Sequence, residues 1–61
     1  MASYRLYFLN PQGAIARAKE FEAASDDEAL AFADELAAGR DVELWNQARL
    51  VARRAPARRS A

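Results

Sequence analysis

The sequence predicts an α+β fold in the order ββαββ, a four-stranded antiparallel sheet with one helix packed on one face. Three observations support this prediction. Two segments alternate apolar and polar residues, the next segment spaces its apolar residues as a helix does, and two more alternating segments follow. A right-handed crossover from the second strand over the helix to the third leaves the first strand between them, which predicts sheet order 2-1-3-4.

The first hairpin is predicted from residues 3–9 and from the turn that follows them. Residues 3–9 alternate with period two and are rich in aromatic residues that favour strands. In the turn, Pro11 fixes φ, the Asn10 side chain can bond the turn backbone, and Gly13 accepts a positive φ. We therefore expect a three-residue connection that ends at Gly13.

That connection sets the register of the hairpin and so the face on which each charge lies. It pairs Phe8 with Ala16, and it places Arg17 and Lys19 on the sheet face away from the helix. The alternative register places both cations under the helix, where burying unpaired charge is costly. The sequence therefore predicts the first register.

The helix has the clearest local signals in the chain. Ser25 as N-cap and Glu28 three residues later form a capping box, and the acids of the first turn suit the positive end of the helix dipole. Gly39 is placed to end the helix in the left-handed conformation, and Arg40 lies where a cation is favoured. The predicted apolar stripe consists of Leu30, Phe32, Ala33, Leu36 and Ala37.

Residues 42–45 and 49–53 are predicted to form the second hairpin, and its register stays open. The alternatives are a two-residue turn, which pairs Trp45 with Ala48, and a three-residue turn, which pairs Leu44 with Leu50. Gln47 is a poor occupant of the positive-φ position that the two-residue turn requires.

Length and composition limit the chain to one small domain. We assign residues 1–54 to it and expect residues 55–61, which hold Arg, Ala and Pro but no large apolar residue, to be a disordered tail. Half of the 32 apolar residues are alanine, and there is no cysteine to cross-link so small a core. Self-association is therefore expected.

Charge and hydropathy bear on partners and location. Residues 1–45 carry a net charge of −5 and residues 46–61 carry +5, although the whole chain is neutral. There is no signal-like apolar run and no stretch of 18 apolar residues, so the sequence predicts a cytoplasmic protein that does not use a membrane.

Three passages resemble a known family: residues 4–9 (YRLYFL), residues 21–29 (FEAASDDEA), and residues 43–45 (ELW) with 48–52 (ARLVA). Over residues 3–53 the chain resembles a family of short, uncharacterised bacterial ββαββ proteins, a domain of unknown function. The resemblance implies a compact ββαββ domain with no assigned catalytic residues. Similar sequences carry Gly at the position of Gln47, which argues against a tight turn at Gln47.

Catalytic chemistry has no support in the sequence. With no histidine or cysteine, a nucleophile would have to be one of three serines, and none has a positioned base. The acids of the helix serve as caps or lie on its solvated face, where nothing shifts a pKa or gathers metal ligands. We therefore predict a non-enzyme with no cofactor and no metal.

The remaining feature is the sheet face that a single helix leaves uncovered. Aromatic residues and arginine, which interfaces favour, are expected there, and we predict that this face forms a homodimer or meets another protein. The alternative is a weak single-stranded nucleic-acid binder that uses the same face and the Arg-rich tail. The predicted contact residues are Arg5, Tyr7, Leu9, Arg17, Lys19 and Trp45.

Overall fold

A computed structural model describes residues 1–55, so most of the predicted tail lies outside the described residues. The elements are β1 (Ala2–Leu9), β2 (Ile15–Ala23), α1 (Asp26–Ala37), β3 (Val42–Asn46) and β4 (Arg49–Arg54). All neighbouring strands are antiparallel and the sheet order is β2-β1-β3-β4. The predicted α+β class, ββαββ order and strand arrangement are confirmed.

The core lies between α1 and one side of the two central strands. The buried residues are Tyr4, Leu6 and Phe8 of β1, Val42 and Leu44 of β3, Ala23 of β2, and Ala29, Ala33 and Ala37 of α1. The fully buried residues of the helix are therefore alanines spaced four residues apart, while its larger residues Leu30 and Leu36 pack against the core only partly buried. Phe32, predicted to lie in the stripe, is 40% exposed and sets its ring edge-on against Phe21 at 4.8 Å.

Both ends of the helix are capped, largely as the sequence predicts. Oγ of Ser25 accepts a 3.2 Å hydrogen bond from the Glu28 amide. Glu28 Oε1 in turn accepts from the amide of Ala24 at 2.8 Å, one residue before the usual position in a capping box. At the other end, both Ala38 (φ 50°) and Gly39 (φ 83°) are left-handed. The reversal therefore begins one residue earlier than predicted.

The first hairpin has the predicted turn but not the predicted register. Leu9 pairs with Ile15, as a three-residue connection requires, and the Asn10 side chain accepts from the turn backbone. A bulge then shifts the pairing, so that Phe8 pairs with Arg17. The predicted pairing of Phe8 with Ala16 is therefore wrong.

The bulge moves two predicted open-face cations to the helix side of the sheet. Lys19 pairs with Leu6 and Arg17 with Phe8, and directly opposed residues share a face. The predicted placement of both cations is therefore wrong. No burial cost results, because α1 leaves this part of β2 uncovered and both side chains stay exposed.

The second hairpin follows neither alternative. Asn46 pairs with Arg49 across a two-residue turn, and Gln47 takes a φ of 55°. A shift beside Leu44 then pairs Trp45 with Leu50 and Leu44 with Ala52. Trp45 and Leu50 therefore share the side of the sheet opposite the helix.

Candidate interaction surface on the open sheet face

The side of the sheet away from α1 is uncovered within residues 1–55. The pairing of the strands places twelve residues there, and we term this surface the open sheet face. It consists of Ser3, Arg5, Tyr7, Leu9, Ile15, Ala18, Glu20, Glu22, Glu43, Trp45, Leu50 and Arg53.

Large apolar and aromatic side chains lie on all four strands of the open sheet face. Tyr7 and Trp45 are half-buried, while Ile15 and Leu50 are 57% and 40% exposed. Tyr7, Ile15 and Trp45 line a groove of about 330 Å³ together with Glu43 and Gln47. The solvent-facing side of an antiparallel sheet is usually polar, so this face carries more apolar surface than is usual.

The cations of this face are held by acids of the same face. Arg5 pairs with Glu20, and this hydrogen bond, followed by one with Tyr7, raises the pKa of Arg5. Arg53 Nη2 lies 2.9 Å from Glu43 Oε2, and Trp45 Nε1 donates to the other oxygen of Glu43 at 3.1 Å. Each cation thus has a local counter-charge.

The structure brings together four of the six predicted contact residues. Arg5, Tyr7, Leu9 and Trp45 lie on the open sheet face, whereas Arg17 and Lys19 lie on the other side. Counting Arg5 and Arg53 against Glu20, Glu22 and Glu43 gives this face a charge of −1. The basic, aromatic surface expected from the sequence is therefore an aromatic surface with balanced charge.

Sequence reasoning missed Glu20 and Leu50 as members of this surface. Both assignments depend on a bulge, because a one-residue shift transfers every later side chain to the opposite face. The sequence signal that could have located Glu20 is its charge, opposite to that of Arg5, since such cross-strand pairs stabilise a sheet.

Comparison of the chain with protein-family models, with curated proteins and with solved structures gives no match. The resemblance to the short bacterial proteins therefore stays a prediction. Among residues 1–55, no helix is long and apolar enough to cross a membrane.

Proposed function

We propose that this protein is a non-catalytic interaction protein that self-associates through the open sheet face. The observation that carries the proposal is a set of apolar and aromatic side chains on this face, with Leu50 exposed and Tyr7 and Trp45 half-buried, beside cations neutralised within the face. The cores of interfaces are rich in aromatic residues and poor in charge. This surface supplies the aromatic residues, and the charges of Arg5 and Arg53 on it are paired with Glu20 and Glu43.

A second copy of the chain suits this surface in charge and in size. A face with a charge of −1 repels its own copy only weakly. Strands about 4.8 Å apart, paired over about six residues with a rise of about 3.3 Å, give a footprint of roughly 400 Å². Stable interfaces bury about 800 Å² of accessible surface per partner. Because side chains project from the sheet, the accessible area of this face is larger than its flat footprint, which brings it to the lower end of that range. We expect dissociation in the micromolar range.

Pairing through the sheet edges is less favourable than stacking of the faces. Along its exposed edge β2 carries Arg17, Lys19, Glu20 and Glu22, and an antiparallel copy would set like charges beside each other. The other edge, β4, carries three arginines and a bulge. Charged and bulged edges resist pairing with another chain.

The alternative function, binding of single-stranded nucleic acid, has less support on this face. A phosphate would have to displace Glu20 from Arg5 or Glu43 from Arg53. The two cations that would have strengthened this site, Arg17 and Lys19, lie on the opposite side of the sheet. We therefore favour self-association for the open sheet face.

Sedimentation velocity tests the proposal. Wild type is expected to form dimers as its concentration rises to about 500 µM, above the dissociation constant expected for so small an interface. Trp45→Asp places a charge at the centre of the face, and Leu50→Asp places one opposite it across β3 and β4. Both variants are expected to sediment as monomers.

Ala31→Asp is the matched control, because Ala31 is exposed on the helix and the variant adds the same charge away from the face. It is expected to dimerise as wild type does. Circular dichroism checks that each variant is folded. A wild type that remains monomeric over the whole concentration range, or a Leu50→Asp variant that is folded and dimeric, contradicts the proposal.

A further inference from the structure

The cations of residues 1–55 divide into two groups. Residues 1–55 contain seven lysines and arginines, and four of these form ion pairs. The paired cations are Arg5, Arg49, Arg53 and Arg54. Within the described part of the chain, Arg17, Lys19 and Arg40 form no ion pair with a carboxylate.

These three cations lie close to one another on the helix side of the sheet. The Arg17 and Arg40 guanidinium carbons are 5.9 and 5.1 Å from the centroid of the same Phe8 ring. Lys19 follows Arg17 by two residues on the same side of β2, a separation of about 6.6 Å along the strand. All three side chains are exposed. We term Arg17, Lys19 and Arg40 the basic shelf.

An aromatic surface continues the basic shelf along β2. Phe21 is two residues beyond Lys19 and on the same side of the strand, since it pairs with buried Tyr4. The ring of Phe32 packs against Phe21 with centroids 4.8 Å apart and remains 40% exposed. An exposed ring thus lies beyond Lys19, at the end of a row of unpaired cations.

We propose that the basic shelf binds single-stranded nucleic acid. The phosphates of the nucleic acid contact Arg17, Lys19 and Arg40, and one of its bases stacks on the exposed ring of Phe32. Unpaired cations neutralise phosphates and release counterions without first breaking a protein ion pair. Arginine also presents a planar fork that matches phosphate oxygens. Cations beside an exposed aromatic ring are how sequence-tolerant single-strand binders hold backbone and base.

This surface is separate from the open sheet face. The two lie on opposite sides of the sheet, so stacking two copies through their open faces leaves both basic shelves exposed. Nucleic-acid binding can therefore be measured whether or not the chain dimerises. An acidic peptide would use the three cations but would gain nothing from the ring of Phe32.

Fluorescence anisotropy with a labelled oligothymidylate tests the proposal on the full chain. Wild type is expected to bind, and the logarithm of its association constant is expected to fall with the logarithm of salt concentration with a slope of about −2 for three phosphate contacts. Arg17→Gln/Lys19→Gln removes two of those contacts and is expected to lower affinity about tenfold at low salt. Phe32→Leu keeps the apolar bulk but removes the ring, and a loss of about fivefold is expected.

Arg53→Gln/Arg54→Gln is the control, because it removes the same charge from two cations that are already paired. Its affinity is expected to stay within about twofold of wild type, as no phosphate contact is lost. Absence of wild-type binding at low salt overturns the proposal. Equal losses in the two double variants, no loss in Phe32→Leu, or equally tight binding of poly-glutamate would overturn it as well.

Discussion

The hydroxyl of Tyr4 donates a 2.7 Å hydrogen bond to Oδ1 of Asp26 and so joins the central strand to the first turn of the helix. The guanidinium of Arg49 donates two hydrogen bonds to the same carboxylate, from Nη1 to Oδ2 at 3.1 Å and from Nη2 to Oδ1 at 3.2 Å. One carboxylate thus connects β1, α1 and β4. Arg49 and then Tyr4 lower the pKa of Asp26, and the bond to Asp26 raises the pKa of the Tyr4 hydroxyl.

This linkage predicts a pH dependence of stability. The pKa of Asp26 is lower in the folded chain than in the unfolded chain, so ionised Asp26 stabilises the fold above the unfolded value of about 4. That stabilisation is lost as pH falls through the folded-state pKa. Asp26→Asn cannot ionise. The melting temperature of wild type is therefore expected to exceed that of the variant at neutral pH and to approach it in acid, below the folded-state pKa of Asp26. A difference that stays constant from neutral to acid pH contradicts this assignment.

Gln47 predicts a stabilising substitution. Its φ of 55° places a residue with a Cβ in the left-handed region, which costs about 1 kcal/mol or more. Gln47→Gly removes that cost but raises the conformational entropy of the unfolded chain. We expect a net gain of about 0.5 kcal/mol in the free energy of unfolding. Urea denaturation measures it.

Ala48→Gly is the control for this substitution, because Ala48 is the other residue of the turn and does not have a positive φ. Glycine there only adds freedom to the unfolded chain, so a small loss of stability is expected. Equal effects of the two substitutions would show that the left-handed backbone at Gln47 carries no cost.

The buried alanines of the helix, Ala29, Ala33 and Ala37, predict that larger side chains at these positions destabilise the fold. Ala33 is 1% exposed at the centre of the three, so Ala33→Leu must push α1 off the sheet or distort neighbouring side chains. Overpacking of this kind costs about 1–3 kcal/mol of unfolding free energy. Ala31→Leu, two residues away on the exposed side of the helix, is expected to change it by no more than about 0.5 kcal/mol. Urea denaturation of both variants compares the two sites, and equal destabilisation would contradict close packing at Ala33.

The helix, the strands and the first turn could be predicted from the sequence, but the register of neither hairpin could. The apolar spacing, the capping residues Ser25 and Glu28, and the Asn10–Gly13 turn each act within a few residues, and all appear in the structure. A bulge is a shift of one residue, and no glycine marks either of the two bulges here. Local sequence patterns therefore could not predict the position of either bulge.

The misplacement of Arg17 and Lys19 has a second physical cause. The prediction from sequence places them on the open sheet face because charge beneath a helix is costly, and it assumes that the helix covers all four strands. The helix instead packs over the far end of β2, where Phe21 and Ala23 lie, and it also forms ion pairs with β4, Asp26–Arg49 and Asp34–Arg54. The part of β2 that carries both cations lies nearer the first turn and stays in solvent, so the assumed cost does not arise.

The sheet order gives β1 a special place in the assembly of the domain. Although it is the first strand in the sequence, it lies between β2 and β3, and its pairing with β3 joins the two hairpins. During translation its pairing with β2 can form early by local contact, whereas its other edge must wait until Val42–Asn46 has left the ribosome. Until then that edge and the apolar residues Tyr4, Leu6 and Phe8 remain open to other nascent chains, so association of this protein can begin before its own fold is complete.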